Sequence, residues 1–239
     1  LDEAFDYLWL QLGQMPFFIA HGYEVGLPAH PLFQHLAASG LAGADRDEAR
    51  RVFVAEVYDP HVFDAGLLAL GQVPGRIAPA LDTFARWQHA WGFEIRGRYE
   101  LVLTLYGPGG SYDTDHGVIT MRTTADGRFR TEPLQNAVHE MTHMGIEGPI
   151  VRRFHLSHEE KERLVDLMCL RAFPDLLPAY RAQPMGPPAL DAYIDDVALG
   201  DLPRAIERYV AARGPVVPAS STATGSTASP PGRGEQARR

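Results

Sequence analysis

Between residues 76 and 91 the apolar positions Ile77, Ala80, Leu81, Phe84 and Trp91 recur at intervals of three and four, with one wider step. That spacing predicts an amphipathic helix. The pattern then changes period. Residues 99–106, YELVLTLY, are β-branched, leucine-rich and aromatic and read as a strand, closed by the turn Gly107-Pro108-Gly109-Gly110. A second strand is expected over 118–123, and Asp126-Gly127 marks the next turn. Thr131 and Pro133 look like the cap and first turn of a helix whose apolar face is Leu134, Ala137, Val138 and Met141. A further buried helix face is expected at Asp166-Leu167-Met168-Cys169-Leu170. Before all of these lies an apolar stretch, Phe5 to Leu12, followed by Gly and Pro breaks, which suggests short helices and loops over the first forty residues.

These elements imply an α+β chain with no internal repeat. It divides into an N-terminal mixed part, 1–150, and a helical C-terminal part, 151–213. The tail, 214–239, is rich in Pro, Ser, Thr, Gly and Ala and nearly free of large apolar residues, so it is expected to be disordered.

Composition narrows the function. The 239 residues, 45% hydrophobic, suffice for a packed core without covalent staples. A formal charge of -8 argues against a broad nucleic-acid surface. The single cysteine, Cys169, excludes an intramolecular disulfide and a cysteine-rich metal site. No window approaches the roughly 18 apolar residues that span a bilayer, and no charged start followed by an apolar run marks a signal peptide. The chain is therefore expected to be soluble. A start at Leu1 fits a trimmed chain or a mature form whose leader has gone; a secreted or periplasmic place is favoured over the cytoplasm, with the compartment left open.

The chemistry lies in His139-Glu140-Met141-Thr142-His143, the H-E-x-x-H pattern, within the helix that opens at Pro133. Residues four apart stand one above the other on a helix, so both imidazoles can reach one ion at roughly 2.0–2.1 Å, with Glu140 one step round to act as general base. Catalytic zinc takes three protein ligands, and the third is sought in the second helix, beginning near Ser157. Four acids compete there. Ser157 and Glu160 fit a capping box, and Glu159 stands four before Arg163 as a surface pair, although a different helix start would turn Glu159 toward the site. Glu162 stands four before Asp166, a like-charge pair that needs a cation beside it. Glu162 is thus the expected ligand, with Asp166 accepting the free N–H of one histidine.

His139, Glu140, His143, Glu162 and Asp166 together resemble the gluzincin metallopeptidases, which include thermolysin-like enzymes and membrane-alanyl-type aminopeptidases. The spacing is H-E-x-x-H-x18-E, and Glu162 with Asp166 is similar to the E-x-x-x-D element of that group. The resemblance covers about residues 118–170. It implies a zincin-like fold, a zinc ion, peptide or protein substrates, Asp166 orienting His139, and 118–123 as the edge strand that holds extended substrate. The G-x-M-E-N segment of the aminopeptidase branch is absent, as is any G-x-x-H continuation of metzincin type after His143.

An oxyanion stabiliser is also expected, from Tyr180, Tyr193, Tyr209, His155 or His158. His21, His30 and His35 read as ordinary loop residues, and 112–116, YDTDH, as a polar turn. The glycines at 107, 109 and 110 lack the spacing of a phosphate loop. The expected function is that of a zinc-dependent peptidase. The rival from another class is a non-catalytic binding module in which zinc only ties two helices together.

Overall fold

The computed structural model describes residues 1–183 and 185–214; apart from Gly214, the tail expected to be disordered lies outside them. The helices among the described residues are α1 (Asp2–Gly13), α2 (Met15–Ala20), α3 (Pro31–Ser39), α4 (Arg46–Val52), α5 (Asp64–Leu70), α6 (Val73–Arg76), α7 (Ala78–Trp91), α8 (Pro133–Ile146), α9 (His158–Ala172) and α10 (Leu202–Arg213). The strands are β1 (Glu100–Thr104), β2 (Gly110–Asp113) and β3 (Val118–Arg122). This is an α+β chain, rich in helix, with one small mixed sheet. No helix among the described residues is long and apolar enough to cross a membrane.

The sheet runs in the order β1-β3-β2, with β1 parallel and β2 antiparallel to the central β3. This corrects the edge role expected of 118–123: both sides of that strand are already paired, so it has no free ladder to offer a substrate. The strand next to the site is β2, whose residues the sequence pattern reads as a turn and a polar loop. Gly110-Ser111-Tyr112-Asp113 has little β propensity of its own, and β3 together with the helix beneath it holds it extended. The cross-strand register Leu101-Ile119-Tyr112 and Leu103-Met121-Gly110 places these side chains on one face. That face packs on α8. On the opposite face, Ser111 meets Tyr7 of α1, their hydroxyls 3.0 Å apart.

Two apolar cores result. The smaller gathers Phe5, Leu8, Leu12, Phe33, Leu36, Phe53 and, from just beyond β1, Tyr106. The larger runs from Leu70 to Tyr209 and contains Ile119 and Met121 of the sheet together with the inner faces of α7, α8, α9 and α10. A π-helical turn, Glu147–Arg152, carries α8 onward inside the larger core, whose residues lie on both sides of position 150. In α7 the buried stripe is Ala80, Thr83, Phe84 and Trp87. Leu81, expected on that face, is 37% exposed, because Thr83 and Trp87 set the phase of the stripe.

The capping box at Ser157 and Glu160 forms as the sequence implies. Glu160 does more than cap: it accepts from the Tyr209 hydroxyl at 2.7 Å and pairs with Arg213, tying the end of α10 to the start of α9. Arg163 pairs with Asp191 and not with Glu159.

Two outcomes test this packing. A methyl at Gly145 would lie 1.9 Å from the Phe93 ring, which is itself stacked on Phe84. Gly145→Ala is therefore expected to cost about 2 kcal/mol in urea unfolding despite the better helix propensity of Ala. At Glu160, burial pushes the carboxyl up, but Arg213, the Ser157 N–H and the Tyr209 hydroxyl outweigh it and hold it below its ordinary 4.5. As pH falls the unfolded chain takes up the proton first, so this stabilisation is complete above about pH 4.5 and is lost as pH drops through the folded-state value. Arg213→Ala is expected to cost about 3 kcal/mol at neutral pH. Unfolding measured across pH should show that cost shrinking in acid.

Candidate metal centre

The end of α8 is set by Pro133 in its first turn and by Glu132, whose carboxylate accepts the Gln135 N–H at 2.9 Å; the cap lies one residue later than Thr131. Every residue from Leu134 to Ile146 is then buried, so α8 runs through the larger core with no solvent face. Its polar side chains must find partners inside the protein.

His139 and His143, one turn apart, bring their Nε2 atoms to 3.0 Å of each other. From α9, Glu162 Oε2 comes to 3.3 Å from His143 Nε2 and 3.8 Å from His139 Nε2. All three residues are at most 9% exposed. Ligating atoms of His139, Glu140 and His143 lie within 4.8 Å of one another, and this buried group can hold a metal ion. The five residues singled out in the sequence, including Asp166, are thus brought together.

The hydrogen bonds around His139 decide its tautomer. Tyr180 donates to Asp166 Oδ1 at 2.8 Å, so its oxygen accepts from His139 Nδ1 at 2.7 Å. His139 thus carries a proton on Nδ1 and turns Nε2 toward His143 and Glu162; burial pulls the ring down, but Cys169, Glu162 and Glu140 outweigh it and hold it well above its ordinary 6.5. His139 Nε2, His143 Nε2 and Glu162 Oε2 lie within 3.8 Å of one another, a cluster of two nitrogens and one oxygen that needs a proton or a metal ion among them. Asp166 does not reach His139 directly, at 3.8 Å; it acts through the Tyr180 hydroxyl, while its other oxygen accepts the Gln183 N–H at 2.7 Å. His143 is held differently. Its Nδ1 is buried without a hydrogen-bond partner, and the ring is fixed by stacking on Tyr112 at 5.3 Å and 13°.

Burial also sets the charges. It pushes the Glu140 carboxyl up to about 7, with the His139 ring pulling down and Glu162 pushing further up. It takes the His143 ring down to about 4, against the pull of Glu162, which keeps the imidazole neutral and free to ligate. Among the described residues, no hydrogen bond or ion pair reaches the Glu140 carboxylate, although the residue is only 7% exposed. Gly110 of β2 makes room for it: a Cβ there would come within 2.5 Å of both Glu140 Oε1 and Asn136 Oδ1.

Family models, curated proteins and solved structures were all compared with this chain, and none matches. The bearing on function therefore comes from the geometry.

Of the residues proposed as oxyanion stabilisers, Tyr180 serves His139, Tyr209 serves Glu160, Tyr193 packs on Tyr209, and His155 sits at an exposed turn with φ 51°. His158 borders the site from the start of α9, with Nδ1 3.8 Å from Glu162 Oε1 and Nε2 2.9 Å from the Tyr23 hydroxyl. His21 lies beside His158, their rings 5.9 Å apart, whereas His30 caps α3 and meets Glu56. The polar turn at 112–116 closes on itself through Asp113 and His116. Sequence reasoning missed Tyr23, Tyr112 and Gln183 as neighbours of the site, and named Tyr180 without its contact to His139. None carries a local signal, since each arrives by a long-range contact.

Removing the Tyr180 hydroxyl takes away the group that fixes the His139 tautomer. Tyr180→Phe is expected to weaken metal binding roughly tenfold or more, measured by competition with a chelator, while Tyr193→Phe leaves it unchanged.

Proposed function

We propose that this chain is a zinc-dependent hydrolase of zincin type, acting as a metallopeptidase. The observation that carries the reading is the convergence of His139 Nε2, His143 Nε2 and Glu162 Oε2 beside a buried carboxylate, Glu140, that no hydrogen bond or ion pair reaches among the described residues. A site built only for binding has no use for an unpaired acid there, where burial without a partner costs several kcal/mol.

His139, His143 and Glu162 would hold the ion, which when bound supplies Lewis acidity to a water and to the scissile carbonyl. Glu140 accepts the proton of the attacking water and returns it to the departing amine as the C–N bond breaks. A carboxyl that titrates near 7 can do both at neutral pH. Tyr180 and Asp166 keep the His139 proton on the ring nitrogen that faces away from the reaction. An extended peptide adds along β2, the edge strand whose Gly110 abuts Glu140, and is held by main-chain hydrogen bonds with little dependence on sequence. To the Tyr23 hydroxyl, paired with His158 Nε2 at 2.9 Å, this reading gives the role of stabilising the carbonyl oxygen as it gains charge.

One observation favours the rival, a site that merely joins α8 to α9: the Gln183 amide reaches Glu162 Oε2 at 3.0 Å and crowds the ligands. Glu140→Gln separates the two readings. Elemental mass spectrometry on untagged protein is expected to find about one zinc per chain in the wild type and in Glu140→Gln, and to find it lost in His143→Ala and Glu162→Ala. Turnover of a peptide library should fall at least ~100-fold in Glu140→Gln. Zinc without turnover in the wild type leaves the joining site, and a wild type that takes up no zinc overturns both.

A further inference from the structure

The segment after Tyr180 is fixed to both helices of the metal centre. Gln135 of α8 pairs with the main chain of Arg181 in both directions, its Oε1 accepting the Arg181 N–H and its Nε2 donating to the Arg181 carbonyl, each at 3.2 Å. This is the pairing a neighbouring strand would make. Two residues on, the Gln183 N–H donates to Asp166 Oδ2 of α9 at 2.7 Å. With the backbone pinned at 181 and 183, the Gln183 side chain turns inward. Its amide nitrogen lies 3.0 Å from Glu162 Oε2 and 3.5 Å from His139 Nε2, against two of the three atoms that would hold the ion.

That orientation suits a site without a cation, since an N–H donates to the carboxylate. With a cation among the three ligands the preference reverses, because the dipole of the amide then favours its oxygen toward the positive charge. Half a turn about the last side-chain bond exchanges the two ends of the amide with no movement of the backbone. Catalytic zinc sites have three protein ligands and a fourth position for water or substrate, and no other side chain of the segment 181–183 reaches the ligand atoms.

We infer that Gln183 is a fourth, displaceable ligand, and that its carboxamide oxygen occupies the position a substrate amide must take. The inference rests on the metallopeptidase reading and adds a substrate class to it: the resting site is held by an internal carboxamide, the same functional group as a peptide bond, so an amide substrate enters by exchange of like for like. The amide is a neutral, weak donor, which allows exchange where a carboxylate would lock the site.

The test uses the whole chain loaded with zinc, and reads metal affinity by chelator competition and acetohydroxamate affinity by calorimetry. Gln183→Ala is expected to weaken zinc binding several-fold, through loss of a ligand, and to tighten acetohydroxamate binding roughly tenfold, through loss of the competitor. Gln183→Glu keeps a donor oxygen and is expected to hold zinc at least as tightly as the wild type while binding the hydroxamate weakly. Thermal melting of the metal-free forms shows whether each variant is folded. Were Gln183 only a support for Glu162, Gln183→Ala would weaken zinc without tightening the hydroxamate, and that outcome overturns the inference. Hydroxamate affinity unchanged in both variants overturns it too, with the metallopeptidase reading left standing. A wild type that takes up no zinc defeats that reading instead.

Discussion

α8 is buried on every side, yet six of its side chains, Gln135, Asn136, His139, Glu140, Thr142 and His143, are polar. A helix of that kind is held only where each polar group is satisfied or used, at a cost of roughly 1–3 kcal/mol for each one left bare. The surrounding architecture answers this demand. Thr142 bonds back to the Val138 carbonyl, Gln135 takes the main chain of Arg181, and His139 takes Tyr180. Close approach is bought by glycine at two points, Gly145 against the Phe93 ring and Gly110 against Glu140. The Glu140 carboxylate is left without a hydrogen bond or ion pair among the described residues, beside the two histidine Nε2 atoms that converge on each other and on Glu162.

The two histidines are held by different physics. His139 is fixed by a relay of hydrogen bonds through Tyr180 to Asp166, which sets both its tautomer and its orientation. His143 is fixed by packing against Tyr112, whose hydroxyl is in turn anchored by Lys161. Burial moves the titratable groups in complementary directions, raising Glu140 toward neutrality and keeping His143 uncharged. A carboxyl shifted toward neutrality and an uncharged imidazole then stand at the same site. Their side chains stand on one helix three residues apart, and the difference arises because burial disfavours whichever form is charged.

The N-terminal helices are more than a separate lobe. Their core joins the sheet through Tyr106, Tyr7 reaches Ser111 on the face of β2 away from α8, and Tyr23 reaches His158 beside Glu162. The rim of the site is therefore assembled from the first 25 residues, the β2 strand, the start of α9 and the segment after Tyr180.

Local interactions made part of this molecule readable in advance. The spacing of His139, Glu140 and His143, the capping box at Ser157 and the like-charge pair Glu162 and Asp166 all depend on residues within a turn or two of one another, and helix geometry fixes what such residues can do together. The strands at 99–106 and 118–123 were legible for the same reason, since alternation and β-branching are local. Their pairing was not: whether 118–123 is an edge or a centre depends on Gly110 to Asp113, which have no strand signature and are extended only because β3 and α8 hold them so. Tyr180 stands 41 residues from His139, and Gln183 stands 21 from Glu162. Nothing in their own neighbourhoods marks them. The sequence by itself determined the cluster of His139, Glu140 and His143, because helical periodicity is a property of the chain at short range; only the tertiary structure decided what surrounds that cluster, because loop closure and packing select among many arrangements that the local pattern permits equally.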